Sequence, residues 1–189
     1  MKVGTDGVLL GAWTPLRDSD RRILDIGTGT GLIALMLAQR SAARITAVDV
    51  DAECATQAAE NFAASPWADR LDAVAVAVQR YDPVERFDLI VSNPPYIPTD
   101  VIPQLMPEVQ VFEPIEALDG KEDGLYFYRK IVEQSKDYLN CGGSLMFEIG
   151  YDQGKDVSEL LKNEGYEEIE IKKDLAGLDR VVMGRYNKE

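Results

Sequence analysis

Not one of the 189 residues is a histidine. Histidine is the usual base behind an activated serine or cysteine and a common metal ligand. Its absence excludes Ser-His and Cys-His nucleophile systems and most catalytic zinc sites. Positive charge is also scarce: 20 lysines and arginines stand against 33 acidic residues, a formal net charge of −13. A broad basic face for nucleic acid is therefore not expected, although a local patch would survive that balance. Cys54 and Cys141 are too far apart for a redox or metal-binding spacing, so no metal is expected and a reduced, cytoplasmic setting is the default. No apolar run approaches the roughly 18 residues needed to cross a membrane, and Met1-Lys2-Val3-Gly4 does not open a signal peptide. With 46% hydrophobic and 28% charged residues, the chain has the composition of a soluble globular protein. Its length suits one well-buried domain, residues 1–189, better than two.

Proline is used in one pointed way. The apolar run Phe87 to Ser92 reads as a strand, and it stops on Asn93-Pro94-Pro95-Tyr96. Proline lacks an N–H and fixes φ, so the pair ends the strand and stiffens the next peptide units. Two acceptors remain on that rigid edge, the Asn93 side-chain oxygen and a backbone carbonyl, with a flat ring beside them. Both hydrogens of a planar NH2 group would fit there. Taken alone, Asn-Pro-Pro reads more readily as a plain strand-ending turn.

The rest of the pattern supplies the context. Arg22 to Ile26, Arg44 to Val50, Ala73 to Val78, Phe87 to Ser92 and Ser144 to Ile149 read as strands. Leu32 to Arg40, Ala52 to Ala63 and Val157 to Asn163 read as helices, the last closed by Gly165. Leu125, Tyr128, Ile131, Val132, Ser135 and Leu139 recur at helical spacing and predict an amphipathic helix over 124–139. Two further strands, 167–173 and 180–186, flank a short turn at Ala176-Gly177-Leu178. Alternating strands and helices predict an α/β fold, a doubly wound and mostly parallel seven-stranded sheet with a carboxyl-terminal antiparallel hairpin. In such sheets ligands sit beyond the carboxyl ends of the strands, near the switch point.

Gly27-Thr28-Gly29-Thr30-Gly31 falls at one of those ends. Its glycines let the backbone turn tightly and lie against a ligand. A dinucleotide fingerprint would place its third glycine at 32, where Leu32 stands, and no Gly-Lys-Ser/Thr follows. Asp49 closes the second strand, where a carboxylate is placed to accept both hydroxyls of a ribose. Loop, acid and proline edge together point to a nucleoside on one side of a cleft and a planar amine or amide on the other.

Composition changes in mid-chain. Residues 1–96 hold sixteen alanines, eight arginines and one lysine, whereas residues 97–189 hold two alanines, three arginines and eight lysines. The hydrophobic pattern runs through this step unbroken, which suggests two related parents joined near residues 90–100 within one fold.

The words Asp25-Ile26-Gly27-Thr28-Gly29-Thr30-Gly31, Asp49 and Asn93-Pro94-Pro95-Tyr96 resemble the class I S-adenosylmethionine-dependent N-methyltransferases, over nearly the whole chain. Lys2 to Trp13 and Ser65-Pro66-Trp67 look like the tRNA(Val) adenine-37 N6-methyltransferases. From Ile97 onward the chain is similar to the HemK/PrmC release-factor glutamine methyltransferases, through Pro107-Glu108-Val109, Glu113-Pro114, Asp123-Gly124-Leu125, Glu148-Ile149-Gly150 and residues 174–182. The resemblance implies S-adenosylmethionine as cofactor and a release factor, or else tRNA, as methyl acceptor. It implies that Gly27, Thr28, Gly29, Thr30 and Gly31 lie along the cofactor, with Asp25 ordering the loop. Asp49 would hold the ribose, Val78 would flank the adenine, and Asn93, Pro94, Pro95 and Tyr96 would grip the acceptor nitrogen. Ala77 stands where the adenine-37 family carries an acid, which predicts weaker cofactor binding. The helical amino-terminal domain of the glutamine family has no counterpart in this length. A third reading is a recombined domain that folds and binds cofactor without turnover.

Overall fold

The structure, a computed structural model, describes residues 5–188, the side chains of Thr5, Asp6 and Phe112 excepted. Its elements run α1 (Thr5–Trp13), β1 (Arg22–Ile26), α2 (Leu32–Arg40), β2 (Arg44–Asp49), α3 (Ala52–Ala63), β3 (Leu71–Ala75) and β4 (Phe87–Ser92). They continue with α4 (Pro107–Phe112), α5 (Ile115–Leu118), α6 (Tyr126–Tyr138), β5 (Leu139–Glu148), α7 (Gly154–Asn163), β6 (Glu167–Lys173) and β7 (Asp179–Tyr186).

All seven strands form one sheet in the order β3-β2-β1-β4-β5-β7-β6. The first five pair in parallel, and β7 is antiparallel to both β5 and β6. Side chains alternate between faces along each strand, so the sheet divides two cores. Ile23, Ile45, Leu89, Val91 and Met146 meet Leu10 of α1, Ile33, Ala34 and Leu37 of α2, and Phe62 of α3. Leu24, Val48, Ile90, Leu145 and Phe147 meet Tyr128, Ile131 and Val132 of α6 and Val157 and Leu161 of α7. Helices therefore cover both faces, and chain order reverses between β1 and β4.

The structure departs from the sequence expectation in several places: helix α1 has no counterpart in it, α7 starts three residues before Val157, and α6, β2 and β7 differ by one or two residues at their ends. Three further departures have a plain physical cause. β3 begins at Leu71 and ends at Ala75, because the Val76 amide donates to the Asp49 carbonyl (2.8 Å) and the chain then turns into a one-turn 3₁₀ helix at Val78–Arg80. The Ala-Val alternation of 73–78 is uniform, so its pattern carries no end signal. β5 is longer than Ser144 to Ile149 because Asn140-Cys141-Gly142-Gly143 bends the strand instead of ending it. Gly142 takes φ 78°, and the register with β4 shifts between Phe87 and Leu89. The segment after Ile97 carries α4 and α5, helices of six and four residues, too short to show a helical period in sequence.

Candidate active site at the carboxyl edge of the sheet

β1 and β4 pair in register up to Ile26 opposite Ser92, so Gly27 and Asn93 are the next residues on neighbouring parallel strands. The buried Ser92 hydroxyl donates to the Ile26 carbonyl (2.9 Å) and ties the two ends together. No signal in the sequence marked this serine, which reads there as an ordinary strand end. The glycine loop is fixed from its other side by β2: Gly27 N–H and Thr28 N–H both donate to the Val48 carbonyl, at 2.9 and 3.2 Å.

Asp49 turns back onto the loop. Its Oδ2 accepts from the Gly29 amide (2.8 Å) and its Oδ1 from the Asp51 amide (3.0 Å), leaving a half-buried carboxylate between β2 and the glycines. Each oxygen keeps a lone pair for another donor. Asp25 is fully buried, and the Thr28 hydroxyl donates to its Oδ2 (2.7 Å). Oδ1 has no hydrogen-bond partner. Burial pushes this carboxyl up to about 7, against the Thr28 hydroxyl and the Ala34 amide, which both pull it down.

The three glycines have different surroundings. Gly27 takes φ 71° and is exposed, with open space where a side chain would stand. Gly29 takes φ 55°. Gly31, at φ 80°, faces the protein: a Cβ there would lie 2.5 Å from the Phe62 ring and 3.2 Å from Ala58. Its missing side chain is thus required by α3, not by a ligand. Thr30 is half-buried, and its carbonyl accepts from Asn61 of the same helix (2.8 Å).

Beyond Ser92, Asn93 and Pro95 are half-buried, Pro94 is buried and Tyr96 is half-buried against the α6-side core. The next residues are stitched to a second segment. Ile97 N–H donates to Leu118 O (2.9 Å), Gly120 N–H to Ile97 O (2.8 Å) and Thr99 N–H to Lys121 O (3.0 Å). The proline edge is thereby extended into a small platform.

Other residues raised by the sequence divide. Val78 lies past β3 in the 3₁₀ turn, half-buried, with its carbonyl accepting from the Tyr138 hydroxyl (3.1 Å). Ala77 precedes it, two residues beyond the strand end. Glu148, at the end of β5, is fully buried. Tyr128 is core, and Tyr126 and Phe127 meet edge-to-face at the surface. Lys2 lies outside the described residues, while Thr5 and Asp6 belong to α1. Two surface depressions, about 560 and 360 Å³, differ in place, the smaller lying along the exposed face of α3 at Ala52, Glu53, Thr56, Gln57 and Glu60. The larger is lined by Arg22, Arg44 and Leu71, the amino ends of β1, β2 and β3. Volume alone is a poor guide here, because the glycine loop, the buried acid and the proline edge all gather at the opposite, open end.

Fold and edge together define a methyltransferase domain of the S-adenosylmethionine-dependent class. A family model described as the methyltransferase small domain matches residues 7–105, and the chain belongs to that family. A release factor glutamine methyltransferase of Clostridium botulinum is 40% identical over 168 residues, covering 87% of this chain and 59% of the relative. A tRNA1(Val) (adenine(37)-N6)-methyltransferase of Aeromonas hydrophila is 61% identical over 98 residues, covering 51% of this chain and 41% of the relative. The chain therefore spans only about half the length of the curated relatives it matches. The crystal structure of a methyltransferase from Pyrococcus furiosus shares the fold, with TM-score 0.68 at 21% identity over 96% of this chain and 81% of that one.

S-adenosylmethionine fits the residues present. An open, side-chain-free loop at Gly27, a buried acid with an oxygen lacking a partner at Asp25, and a carboxylate with spare lone pairs at Asp49 suit a cationic nucleoside.

Proposed function

We propose that this chain transfers a methyl group from S-adenosylmethionine to a planar amide or amine nitrogen, with glutamine in a peptide chain release factor as the leading acceptor. The observation that carries this reading is the pairing of Ile26 with Ser92, which sets the glycine loop and Asn93 side by side at the switch point. When bound, S-adenosylmethionine supplies an electrophilic methyl on a sulfonium centre.

The residues of the chain supply alignment. Gly27, Thr28, Gly29 and Thr30 would run along the cofactor, with Gly31 seating the loop on α3. Asp25 would order the loop, Asp49 would hold the ribose hydroxyls, and Val78 would border the adenine. The acceptor nitrogen is a poor nucleophile because its lone pair is delocalised. With its two hydrogens held by the Asn93 side-chain oxygen and the Pro94 carbonyl, that lone pair is turned out of conjugation toward the methyl. Both bonds tighten as positive charge grows on nitrogen, so they favour the transition state over the ground state. Pro95 would fix the direction of the edge and Tyr96 would pack on the planar group. The methylated nitrogen would lose its surplus proton to water as S-adenosylhomocysteine leaves as the thioether, so no side-chain base is needed.

A release factor is favoured because the residues after Ile97 that border this edge carry the glutamine-family words, and because a charge of −13 opposes RNA. The second reading, adenine N6 in tRNA, draws on the 61% identity of a half-chain stretch. That match, beside a 40% match over most of the chain, also supports a mosaic of two parents joined near residues 90–100. A cytoplasmic setting is consistent with both acceptors, and no helix among the described residues is long and apolar enough to cross a membrane.

The test is Asn93→Ala, assayed by radiolabelled methyl transfer to purified release factor and to bulk tRNA. Transfer should fall by about 100-fold or more while S-adenosylhomocysteine binding holds, as for loss of one preorganised polar group at a reacting centre. Transfer by the unsubstituted chain to tRNA alone would overturn the release-factor reading, and transfer to neither would leave a domain that binds without turnover.

A further inference from the structure

Between Ser92 and Ile97 two of the four residues are proline, so the edge has few amides with which to anchor itself. Its carbonyls must be held by donors from elsewhere. One such donor is Gln153, at the amino end of α7. Residues at that position commonly spend their side chain on capping the helix, yet Gln153 makes no side-chain cap. The residue is 8% exposed, and its side chain reaches back to the site. Nε2 donates to the Tyr96 carbonyl (3.1 Å) and to the Gly124 carbonyl (3.3 Å), while Oε1 accepts from the Gly150 amide (3.0 Å). The Tyr128 hydroxyl stands 3.5 Å from Oε1 and donates at 2.9 Å to the Glu148 carbonyl. A single buried amide thus joins the end of the proline edge, the loop before α6 and the end of β5.

The surrounding glycines leave no other arrangement. A Cβ on Gly120 would lie 2.7 Å from both the carbonyl carbon and the Cα of Tyr96. A Cβ on Gly124 would collide with the Tyr96 carbonyl oxygen and stand 2.8 Å from Gln153 Nε2. The loop can close on the edge only with glycine at both positions, and Gln153 bonds both partners once it has closed.

We infer that Gln153 is a positioning residue: it clamps the carboxyl end of the Asn93–Tyr96 edge so that the two acceptors at the other end keep their aim. The inference rests on the proposed methyl transfer for its catalytic consequence and on geometry alone for the clamp. Gln153 would touch neither cofactor nor acceptor.

Two variants of the full chain test it. Gln153→Glu keeps the acceptor for Gly150 and puts a carboxylate oxygen against two carbonyls, and Gln153→Met removes the donors without adding charge. Amide hydrogen exchange at Ile97 and Gly120 should quicken by about tenfold or more in both variants, as for a lost buried hydrogen bond, with Leu24 and Ile90 unchanged. Radiolabelled transfer to release factor and to bulk tRNA should show kcat lowered by about 10- to 100-fold, the scale of a small misplacement of reacting groups. The KM for S-adenosylmethionine and the calorimetric affinity for S-adenosylhomocysteine should stay within about threefold. Unchanged exchange at Ile97 and Gly120 overturns the clamp. Quickened exchange with kcat intact overturns the positioning role. If the unsubstituted chain transfers to neither acceptor, the proposed function falls, and exchange alone then upholds or overturns the clamp.

Discussion

Asp25 holds a carboxyl group where water does not reach it, with one oxygen bonded to the Thr28 hydroxyl and the other without a partner. Desolvation disfavours the charged form, and the carboxyl is pushed up to about 7 from an ordinary 3.8. The sign of the consequence follows from linkage. Below about pH 4 both folded and unfolded chains carry the proton and nothing is lost. Between about 4 and 7 the unfolded chain ionises first, so Asp25 subtracts from stability as pH rises, by about 1.4 kcal/mol per unit of separation at most. Above about 7 the loss is complete and constant. Asp25→Asn keeps an oxygen for the Thr28 hydroxyl and cannot ionise. Its stability relative to the unsubstituted chain should therefore rise across pH 4 to 7 and level off above, as measured by urea unfolding at each pH. A flat difference would show that Asp25 ionises in the fold at the same pH as in the unfolded chain. The sequence puts this acid at the head of the loop, but its titration was not legible there, because burial depends on α2 and the neighbouring strands arriving over it.

Among the elements, the α2–α3 layer shows how one motif divides its work. Spacing alone put Gly27, Gly29 and Gly31 into a single ligand-facing role, but what stands beside Gly31 is set by a helix distant in sequence. Gly27 opens to solvent, whereas Gly31 meets Phe62 and Ala58 of α3. An alanine at either position pays for a positive φ, about 1–3 kcal/mol. At Gly31 it also forces Phe62 aside, an overpacking cost of about 1–3 kcal/mol more. Gly31→Ala should thus be less stable than Gly27→Ala by about that second amount in urea unfolding. Gly27→Ala should be the variant that weakens S-adenosylhomocysteine binding in calorimetry, and equal stabilities would overturn the division. The same contrast explains which elements were readable in the sequence. β1, β4, α2 and α3 have strong patterns and sharp ends, and they were legible to the residue. α4 and α5 are shorter than two turns, and β5 crosses its Gly-Gly pair by bulging, so tertiary context decides all three.

At the scale of the molecule, the step in composition after residue 96 falls between β4 and β5, and the sheet runs across it without a break. Leu89, Ile90 and Val91 pair with Ser144, Leu145 and Met146, and Leu89, Ile90, Val91, Leu145 and Met146 are buried. Both cores draw on residues from before and after the step: Leu10, Leu37 and Phe62 share one with Met146 and Val181, and Leu24 and Ile90 share the other with Tyr128 and Val182. If two parents were joined here, their seam is the interior of a sheet, where separating the halves would expose a continuous apolar surface. Such a seam predicts a single cooperative unit. The two tryptophans, Trp13 and Trp67, both precede the step, but Lys172 of β6 bonds the Trp13 carbonyl (3.2 Å) and Trp13 packs in the core that Met146 and Val181 share. A Trp13→Phe variant is therefore used to leave Trp67 as the fluorescence probe of the first half, whereas far-ultraviolet circular dichroism reports on the helices and strands of both. Urea midpoints from the two probes should coincide within about 0.2 M, a separation of about 0.2–0.6 kcal/mol at ordinary slopes. A tryptophan transition displaced from the dichroism would mean that the halves unfold independently. The β4–β5 seam would then be a contact between two units, and the fit of the acceptor edge to the cofactor loop would depend on how firmly that contact holds.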